Sequence, residues 1–228
     1  MKNFLINFYH VLKFREPGMY PDKQPYLILK GLLETLKLTL SATIISVIIG
    51  LLLGLFLYSL QINKNYRKTK IYFLINFIFN SLIAPPFLPL SLLVIKCFLG
   101  AFFDLYHGFK PSLICLLLVL IPIFARNCEQ VFLEMDPNLY ETSYTLGANK
   151  FQFIKEFVLK ETRSAIILKI ISIFVSCLSY ATILGVIGGG GLGNIVISYG
   201  YNSTLDSKGQ FSTTDLIIVC VLINLILV

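Results

Sequence analysis

The sequence predicts an all-α, polytopic membrane protein, and two features of its composition support this fold class. Of its 228 residues, 56% are hydrophobic and only 14% are charged, whereas an average soluble chain carries roughly 25% charged residues. Apolar runs recur at about the 20-residue length that a helix needs to cross a hydrocarbon core. The alternating segments of about ten residues that are typical of transmembrane β-barrels do not occur. We therefore expect about five transmembrane helices.

Residues 1–30 are expected to form an interfacial segment and linker, ahead of a transmembrane domain at 31–228. Asn7 and His10 interrupt the first apolar run and no small-residue cleavage site follows, so a signal peptide is not indicated. Glycine and prolines at 17–25 indicate a turn-rich link. A short interfacial helix is predicted from apolar side chains at roughly helical spacing, namely Phe4, Leu5, Phe8 and Leu12.

The first clear span is predicted from Leu36 to Leu60. Gly50 and Gly54 form a Gly-x-x-x-Gly pair, which lets two helix backbones approach closely inside a membrane. The loop that follows, residues 61–70, carries four lysines and arginines, and the positive-inside bias places it in the cytoplasm.

The second apolar run, Ile71 to Gly100, is too long for one straight span. Its prolines, Pro85, Pro86 and Pro89, remove backbone donors and should break or kink the helix. Because broken helices at membrane depth need protein or a water-filled cavity around them, a path-lining role and a plain kink both remain open.

Three further apolar runs complete the predicted transmembrane domain. The third span is predicted from Ser112 to Ala125 and the fourth from Ala165 to Ile187. Hydroxyl side chains in the fourth span either line a path or bond carbonyls of the preceding turn. The last run, from Leu216 to Val228, is shorter than a span requires, so we expect it to be truncated.

The longest polar segment, residues 136–164, contains the start and stop signals of short helices. Asp136 can cap a helix whose first residue is Pro137. Gly147 supplies the left-handed residue that ends it, so a helix is predicted over 137–146. Asn149 followed by Gln152 resembles a second capping pair and predicts another helix from Lys150.

This segment resembles the cytoplasmic coupling loop of ABC importer permeases, where Glu-Ala-Ala is followed by glycine and then by Ile-x-Leu-Pro. The corresponding residues here are Glu141-Thr142-Ser143, Gly147 and Phe157-Val158-Leu159-Lys160. Lys160 and Ser164 stand where the family commonly has prolines, which leaves open whether the helix breaks there.

A glycine run from Gly188 to Gly193 follows the fourth span and matches G-x-G-x-x-G. A dinucleotide site needs a strand before this motif and a helix after it within a βαβ unit, and no such pattern exists here. Gly190-Gly191-Leu192-Gly193 and Tyr199-Gly200-Tyr201 are instead similar to the segment after the coupling loop in methionine-type ABC importer permeases.

The resemblance implies the permease subunit of an ATP-driven importer, for methionine or a related small amino acid, in the plasma or inner membrane. It implies a non-catalytic chain that pairs with a second copy of itself, with an ATP-binding subunit that holds ATP and Mg²⁺, and with an extracytoplasmic substrate-binding protein. The coupling loop would cover 129–164. Its coupling residues would be Leu139, Tyr140, Glu141, Thr142, Ser143, Leu146, Gly147 and Ala148, and the substrate path would be lined by Ser179, Tyr180, Thr182 and Gly185.

Other functions find less support in the sequence. The chain has no phosphate loop, its five scattered cysteines do not predict a metal site, and its basic residues flank apolar spans rather than forming a nucleic-acid surface. An ion-gradient-driven transporter would need acids or bases inside the membrane, and 38–60 and 113–125 contain none. A membrane assembly protein without a transport role remains an alternative.

Overall fold

The computed structural model describes residues 9–14, 26–62, 66–136, 138–202 and 213–227, and these are almost entirely helical, as predicted. In chain order the helices are α1 (Leu27–Ile62), α2 (Tyr66–Ile83), α3 (Phe87–Phe103), α4 (Phe109–Leu133), α5 (Asn138–Thr145), α6 (Lys150–Gln152, the π-helical Phe153–Val158 and Leu159–Glu161), α7 (Arg163–Leu184), α8 (Gly191–Ile195) and α9 (Thr213–Leu227). Further π-helical turns lie within α3 (Val94–Gly100), after α7 (Gly185–Gly189) and after α8 (Val196–Tyr201).

Helix α1 begins at Leu27. The prediction of a first span that starts at Leu36 and the prediction of a linker that extends to residue 30 were therefore both wrong at this boundary. Lys30 and Glu34 lower the local hydropathy, but lysine, glutamate and leucine are all good helix formers, so the helix extends beyond its most apolar part. Residues 9–13 are helical. The remainder of the predicted interfacial helix and the turn-rich link lies outside the described residues.

The predicted close approach at the Gly50–Gly54 pair is confirmed, and the partner is α4. A Cβ added to Gly50 would lie 2.9 Å from Cδ1 of Phe124. At Gly54 it would lie 2.7 Å from Cβ of Cys128 and 2.9 Å from the carbonyl oxygen of Ala125. Such distances are too short for a side chain, so both glycines are required by the packing of α1 on α4.

The predicted break in the second apolar run is also confirmed. Helix α2 ends at Ile83 and α3 begins at Phe87, so the Pro85-Pro86 pair lies in the break between them. Pro89 does not add a second break, because it lies in the first turn of α3, where a proline removes no helical hydrogen bond.

Helix α4 continues to Leu133, eight residues beyond the predicted end at Ala125. The predicted loop of 129–164 therefore begins inside a helix, which corrects that boundary. Arg126 directly follows the predicted end, and its guanidinium is hydrogen-bonded within the protein to Asn76 and Glu129. A charged residue that is paired in this way does not need to end the helix.

Within the described residues, three helices are long and apolar enough to cross a membrane, and the bent α2–α3 pair makes a fourth candidate. The three are Leu27–Gln61, Phe109–Leu133 and Arg163–Gly189, and α9 is a shorter apolar helix. Each of the five predicted apolar runs is thus helical.

The chain divides into two compact units that are not contiguous in sequence. The first unit comprises Met1–Ala42, Pro86–Leu116 and Val175–Val228. Its buried core includes Leu27, Leu192, Ile195, Leu216 and Val219.

The second unit comprises Thr43–Pro85 and Leu117–Phe174, and it contains the whole 136–164 segment. Leu57, Phe79 and Ala125 form a buried cluster there, so residues of α1, α2 and α4 pack together in this unit.

Candidate functional site

The segment 136–164 folds into two short helices, as predicted. Asp136 caps α5, because its Oδ1 accepts a hydrogen bond of 3.0 Å from the backbone N–H of Asn138. Its carbonyl oxygen accepts a second bond, of 3.1 Å, from the N–H of Leu139. Helix α5 covers Asn138–Thr145, slightly less than the predicted 137–146, and Pro137 lies outside the described residues.

Gly147 ends α5 in the left-handed conformation, which confirms the prediction. Its φ is +72°, and the N–H of Ala148 donates to the carbonyl oxygen of Ser143 at 3.0 Å. Among the described residues, apart from its two chain neighbours, no atom lies within 4 Å of a Cβ added at Gly147. The glycine is therefore required by the backbone conformation and not by the space around it.

The apolar side chains of this segment point in different directions. Ser143 is buried and Leu139 is half-buried, whereas Leu146 is 71% exposed. These three predicted coupling residues therefore do not share one exposed surface. The physical reason is that α5 ends at Thr145, so Leu146 lies in the turn and does not continue the helical face.

Among the other predicted coupling residues, Thr142 is exposed and Ala148 is half-buried. Thr142 donates to the carbonyl oxygen of Asn138 at 2.9 Å. The side chains of Tyr140 and Glu141 lie outside the described residues, so their predicted roles are untested.

Phe151, which the sequence reading did not single out, is 74% exposed close after the turn. We call Leu146 and Phe151, which flank Gly147, the loop knob. Large apolar residues in the longest polar segment of the chain were the available signal for this surface.

The second capping pair is confirmed, because the N–H of Asn149 donates to Oε1 of Gln152 at 2.9 Å. Farther along α6, Lys160 pairs with Glu156 one turn earlier. The hydrogen bond and charge of Lys160 hold the pKa of the Glu156 carboxyl below its ordinary value. Lysine in place of the family's proline thus supports the end of α6.

The chain does bend after α6, although neither proline is present. Thr162 lies between Glu161, the end of α6, and Arg163, the start of α7. Its buried hydroxyl donates to the carbonyl oxygen of Val158 at 2.7 Å, and such a bond to the preceding turn favours a bend.

The glycine run forms a turn between α7 and α8. Gly188, Gly190 and Gly191 have φ values of +98°, +82° and +74°. A Cβ at Gly193 would lie 2.1 Å from the carbonyl oxygen of Thr182, so that glycine allows α8 to contact α7 directly. A helix precedes the run, in agreement with the rejection of a dinucleotide site.

The sequence reading missed the residues that bind the N-terminus of α8. Oε2 of Glu34 accepts a hydrogen bond of 2.9 Å from the N–H of Gly191. The hydroxyl oxygen of Thr35 accepts one of 2.9 Å from the N–H of Leu192. An acidic residue and a threonine side by side in an otherwise apolar stretch were the available signal.

The four predicted path residues have different surroundings in the described part of the chain. Tyr180 stacks on Phe87 at a ring distance of 4.5 Å, and Ser179 is exposed. Thr182 and Gly185 lie against α8, where Thr182 lines a cavity of about 270 Å³ together with residues of α9. The hydroxyls of Ser179 and Thr182 both donate to carbonyl oxygens of the preceding turn. This is the second of the two roles considered above for hydroxyl side chains in the fourth span.

Comparison with known families settles the class of protein. A family model described as "binding-protein-dependent transport system inner membrane component" matches residues 46–228. The chain belongs to this family. It is a multi-pass membrane protein of the inner-membrane type, as predicted from its apolar helices.

Among the curated relatives of this chain is the probable D-methionine transport system permease protein MetI of Vibrio cholerae. It is 32% identical over 120 residues, which are 51% of this chain and 52% of the relative. The methionine import system permease protein MetP of Bacillus subtilis is 28% identical over 119 residues, or 52% of this chain and 54% of the relative. The chain thus aligns with about half the length of these relatives.

Solved structures cover more of the chain. A chain of the MetNI methionine ABC transporter, solved in inward-facing conformations, is 26% identical, has a TM-score of 0.78 and is matched over 89% of both chains. An amino acid ABC transporter solved with histidines shares the fold, with a TM-score of 0.69 at 20% identity.

Proposed function

We propose that this chain is the permease subunit of an ATP-driven importer for methionine or a closely related small amino acid. The named relatives and the MetNI structure support the substrate class. The observation in this structure that supports coupling to a partner is the loop knob. Two large apolar side chains, 71% and 74% exposed, flank a fixed glycine turn in the segment that resembles a coupling loop.

The loop knob has the properties of a docking element for an ATP-binding subunit. Exposed apolar side chains are energetically costly in water and are commonly covered by a protein partner. Buried Ser143 and half-buried Leu139 hold α5 against its own unit, while Leu146 and Phe151 remain available. Glu141 is the proposed polar anchor in the same interface.

The 136–164 segment connects two membrane helices, so a force on the loop knob is transmitted to both of them. The end of α4 leads through Asp136 into α5, and α6 leads through Thr162 into α7. Leu139, Met135 and Thr162 line one cavity, so residues of both connections lie around the same space. Movement of a bound ATPase would thereby move α4 and α7 together.

Other components of the importer are assigned by the same reasoning. ATP and Mg²⁺ are bound and ATP is hydrolysed by the partner subunit, an extracytoplasmic binding protein delivers the amino acid, and two permease copies form the path. Ser179, Tyr180, Thr182 and Gly185 are the proposed path residues, and of these Thr182 lines a cavity of about 270 Å³.

The loop knob can be tested with Leu146→Ser and Phe151→Ser in the reconstituted complex. We expect each variant to insert normally but to lose most copurification with the ATP-binding subunit and most substrate-stimulated ATP hydrolysis. Leu168→Ser, which removes an exposed leucine from α7, is the matched control and should retain the association. Full association and stimulation in both loop variants would refute docking at this surface.

A further inference from the structure

Five large aromatic side chains are exposed together where α3 ends and α4 begins. Their exposed fractions lie between 45% and 75%. We call them the aromatic patch, and they are Phe98, Phe102, Phe103, Tyr106 and Phe109. The patch belongs to the first unit, within its segment Pro86–Leu116. It is separate from the loop knob.

The connection between α3 and α4 is held in a defined shape by its own contacts. Asp104 follows α3 in the left-handed conformation, with a φ of +52°. The N–H of Leu105 then donates to the carbonyl oxygen of Leu99 at 3.2 Å. Tyr106 folds back onto α3, because a Cβ added at Gly100 would overlap its ring. The aromatic rings are therefore exposed on a folded surface.

The patch lies at the end of α4 that is opposite the 136–164 segment. Helix α4 has 25 residues, from Phe109 to Leu133. At about 1.5 Å per residue it extends about 37 Å, similar to the roughly 40–45 Å of a bilayer with its headgroups. When Leu133 reaches one headgroup layer, Phe109 lies close to the other. Because the 136–164 segment is proposed to be cytoplasmic, the patch belongs to the extracytoplasmic leaflet.

Charged residues of the same connection set its depth in the membrane. Lys96 and Lys110 flank the patch, Asp104 lies within it, and all three are exposed. Charged groups are costly in hydrocarbon, whereas a cluster of exposed apolar side chains is costly in water. The headgroup layer suits both, because aromatic rings lie at the boundary of the acyl chains and lysine amines extend from it toward water.

We propose that the aromatic patch is a membrane anchor that inserts into the headgroup region of the extracytoplasmic leaflet. The rings of Phe102 and Phe103, the two most exposed members, lie at the upper ends of the lipid acyl chains. The amines of Lys96 and Lys110 bind lipid phosphate groups beside them. The partner of this surface is thus the phospholipid interface.

The surface of α3 favours lipid over a soluble protein as this partner. Leu88 and Leu93 are exposed on the same helix ahead of Phe98. The exposed apolar surface therefore continues from the patch along α3, which is apolar enough to form part of a candidate span. A soluble binding protein contacts only the outer surface of a membrane protein, whereas lipid covers a surface that continues into the membrane.

An anchor at this place holds a support of the glycine turn. The N–H of Gly108 donates to the carbonyl oxygen of Gly188 at 3.2 Å. A Cβ added at Gly188 would lie 2.9 Å from Nδ1 of His107, and one at Gly189 would lie 2.6 Å from the hydroxyl oxygen of Ser112. The connection between α3 and α4 thus contacts the glycine turn directly, and insertion of its aromatic rings keeps this contact at the level of the headgroups.

The test uses tryptophan fluorescence, because the chain contains no tryptophan of its own. Phe102→Trp and Phe103→Trp are made separately in the full-length permease and reconstituted in nanodiscs. Phospholipids brominated near the headgroup should quench both variants strongly, and phospholipids brominated near the bilayer midplane should quench them weakly. This pattern corresponds to a depth of about 5–10 Å into the boundary of headgroups and acyl chains. Aqueous iodide should quench both variants weakly.

Phe151→Trp is the matched control, because Phe151 is an equally exposed phenylalanine in the loop knob. It should show the reverse pattern, with strong quenching by iodide and weak quenching by the brominated lipids. Lipid quenching of Phe102→Trp and Phe103→Trp that does not exceed that of Phe151→Trp would overturn the inference. Protection of both variants from lipid and iodide alike would also overturn it, since a second permease copy would then cover the patch.

A measurement on the parent chain covers the case in which a tryptophan variant does not fold. A phospholipid with a diazirine on its acyl chain next to the headgroup should crosslink to peptides containing residues 98–109. Addition of the purified extracytoplasmic binding protein should leave this labelling unchanged. Absence of labelling, or its loss when the binding protein is added, would contradict a lipid anchor. Substrate-stimulated ATP hydrolysis tests the proposed importer function independently of either result.

Discussion

Substitution of Gly147 tests whether the fixed turn after α5 is required for coupling to an ATPase. The residue has a φ of +72°, and among the described residues, apart from its two chain neighbours, no atom lies within 4 Å of an added Cβ. Gly147→Ala therefore introduces backbone strain without a clash, and the left-handed conformation costs an alanine roughly 1–2 kcal/mol. This energy shifts the equilibrium against the turn by a factor of about 5–30.

Three different substitutions at Gly147 should reduce coupling to different extents. Asparagine tolerates the left-handed region, so Gly147→Asn should remain close to the parent chain. Proline is restricted to a φ near −65°, so Gly147→Pro cannot form the turn at all. Gly147→Ala should fall between the two. Its loss of stimulated ATP hydrolysis should not exceed the factor of about 5–30 by which the turn equilibrium shifts.

The assay is substrate-stimulated ATP hydrolysis by the complex reconstituted in liposomes with its binding protein, and the amount of inserted permease serves as the control. Unchanged stimulation in Gly147→Pro would refute the role of the turn. Equal losses in the alanine, asparagine and proline variants would show that the space at Gly147, and not its backbone conformation, is what matters.

Two further predictions concern packing, and thermal unfolding in detergent measures both. Gly54→Leu places atoms against Cβ of Cys128 and the carbonyl oxygen of Ala125, so overpacking should destabilise the chain by about 1–3 kcal/mol; an unchanged midpoint would show that α1 and α4 are not in close contact. Thr35→Val leaves the buried N–H of Leu192 without its acceptor and should cost about 1–3 kcal/mol. Thr35→Ser should restore most of the loss, and equal destabilisation by both variants would contradict the hydrogen bond.

Sequence reasoning was most successful where one residue controls the local backbone. Asp136 as a cap, Gly147 as a left-handed end and the Pro85-Pro86 pair as a break all act within a few residues of themselves. The Gly50–Gly54 pair indicated a close contact but could not name its partner, α4.

The ends of helices that lie near charged residues were predicted less accurately. The predicted span ends at Leu36 and Ala125 lie close to charged residues, yet Lys30, Glu34 and Arg126 all lie inside helices. Hydropathy counts a charge as exposed to lipid, whereas Glu34 binds the N-terminus of α8 and Arg126 binds Asn76 and Glu129. Asn76 is 50 positions from Arg126, and Gly191 is 157 positions from Glu34, so no local pattern reveals these two contacts.

The sequence by itself determined the all-α membrane class, the apolar runs and the helix ends within the 136–164 segment. These follow from hydropathy and backbone preference, which are properties of each residue and its near neighbours. Only the tertiary structure decided that Leu146 is exposed while Ser143 is buried, and that Arg126 of α4 binds Asn76 of α2. Burial and hydrogen bonding depend on which helices pack together, and that packing is determined by contacts between residues far apart in the chain.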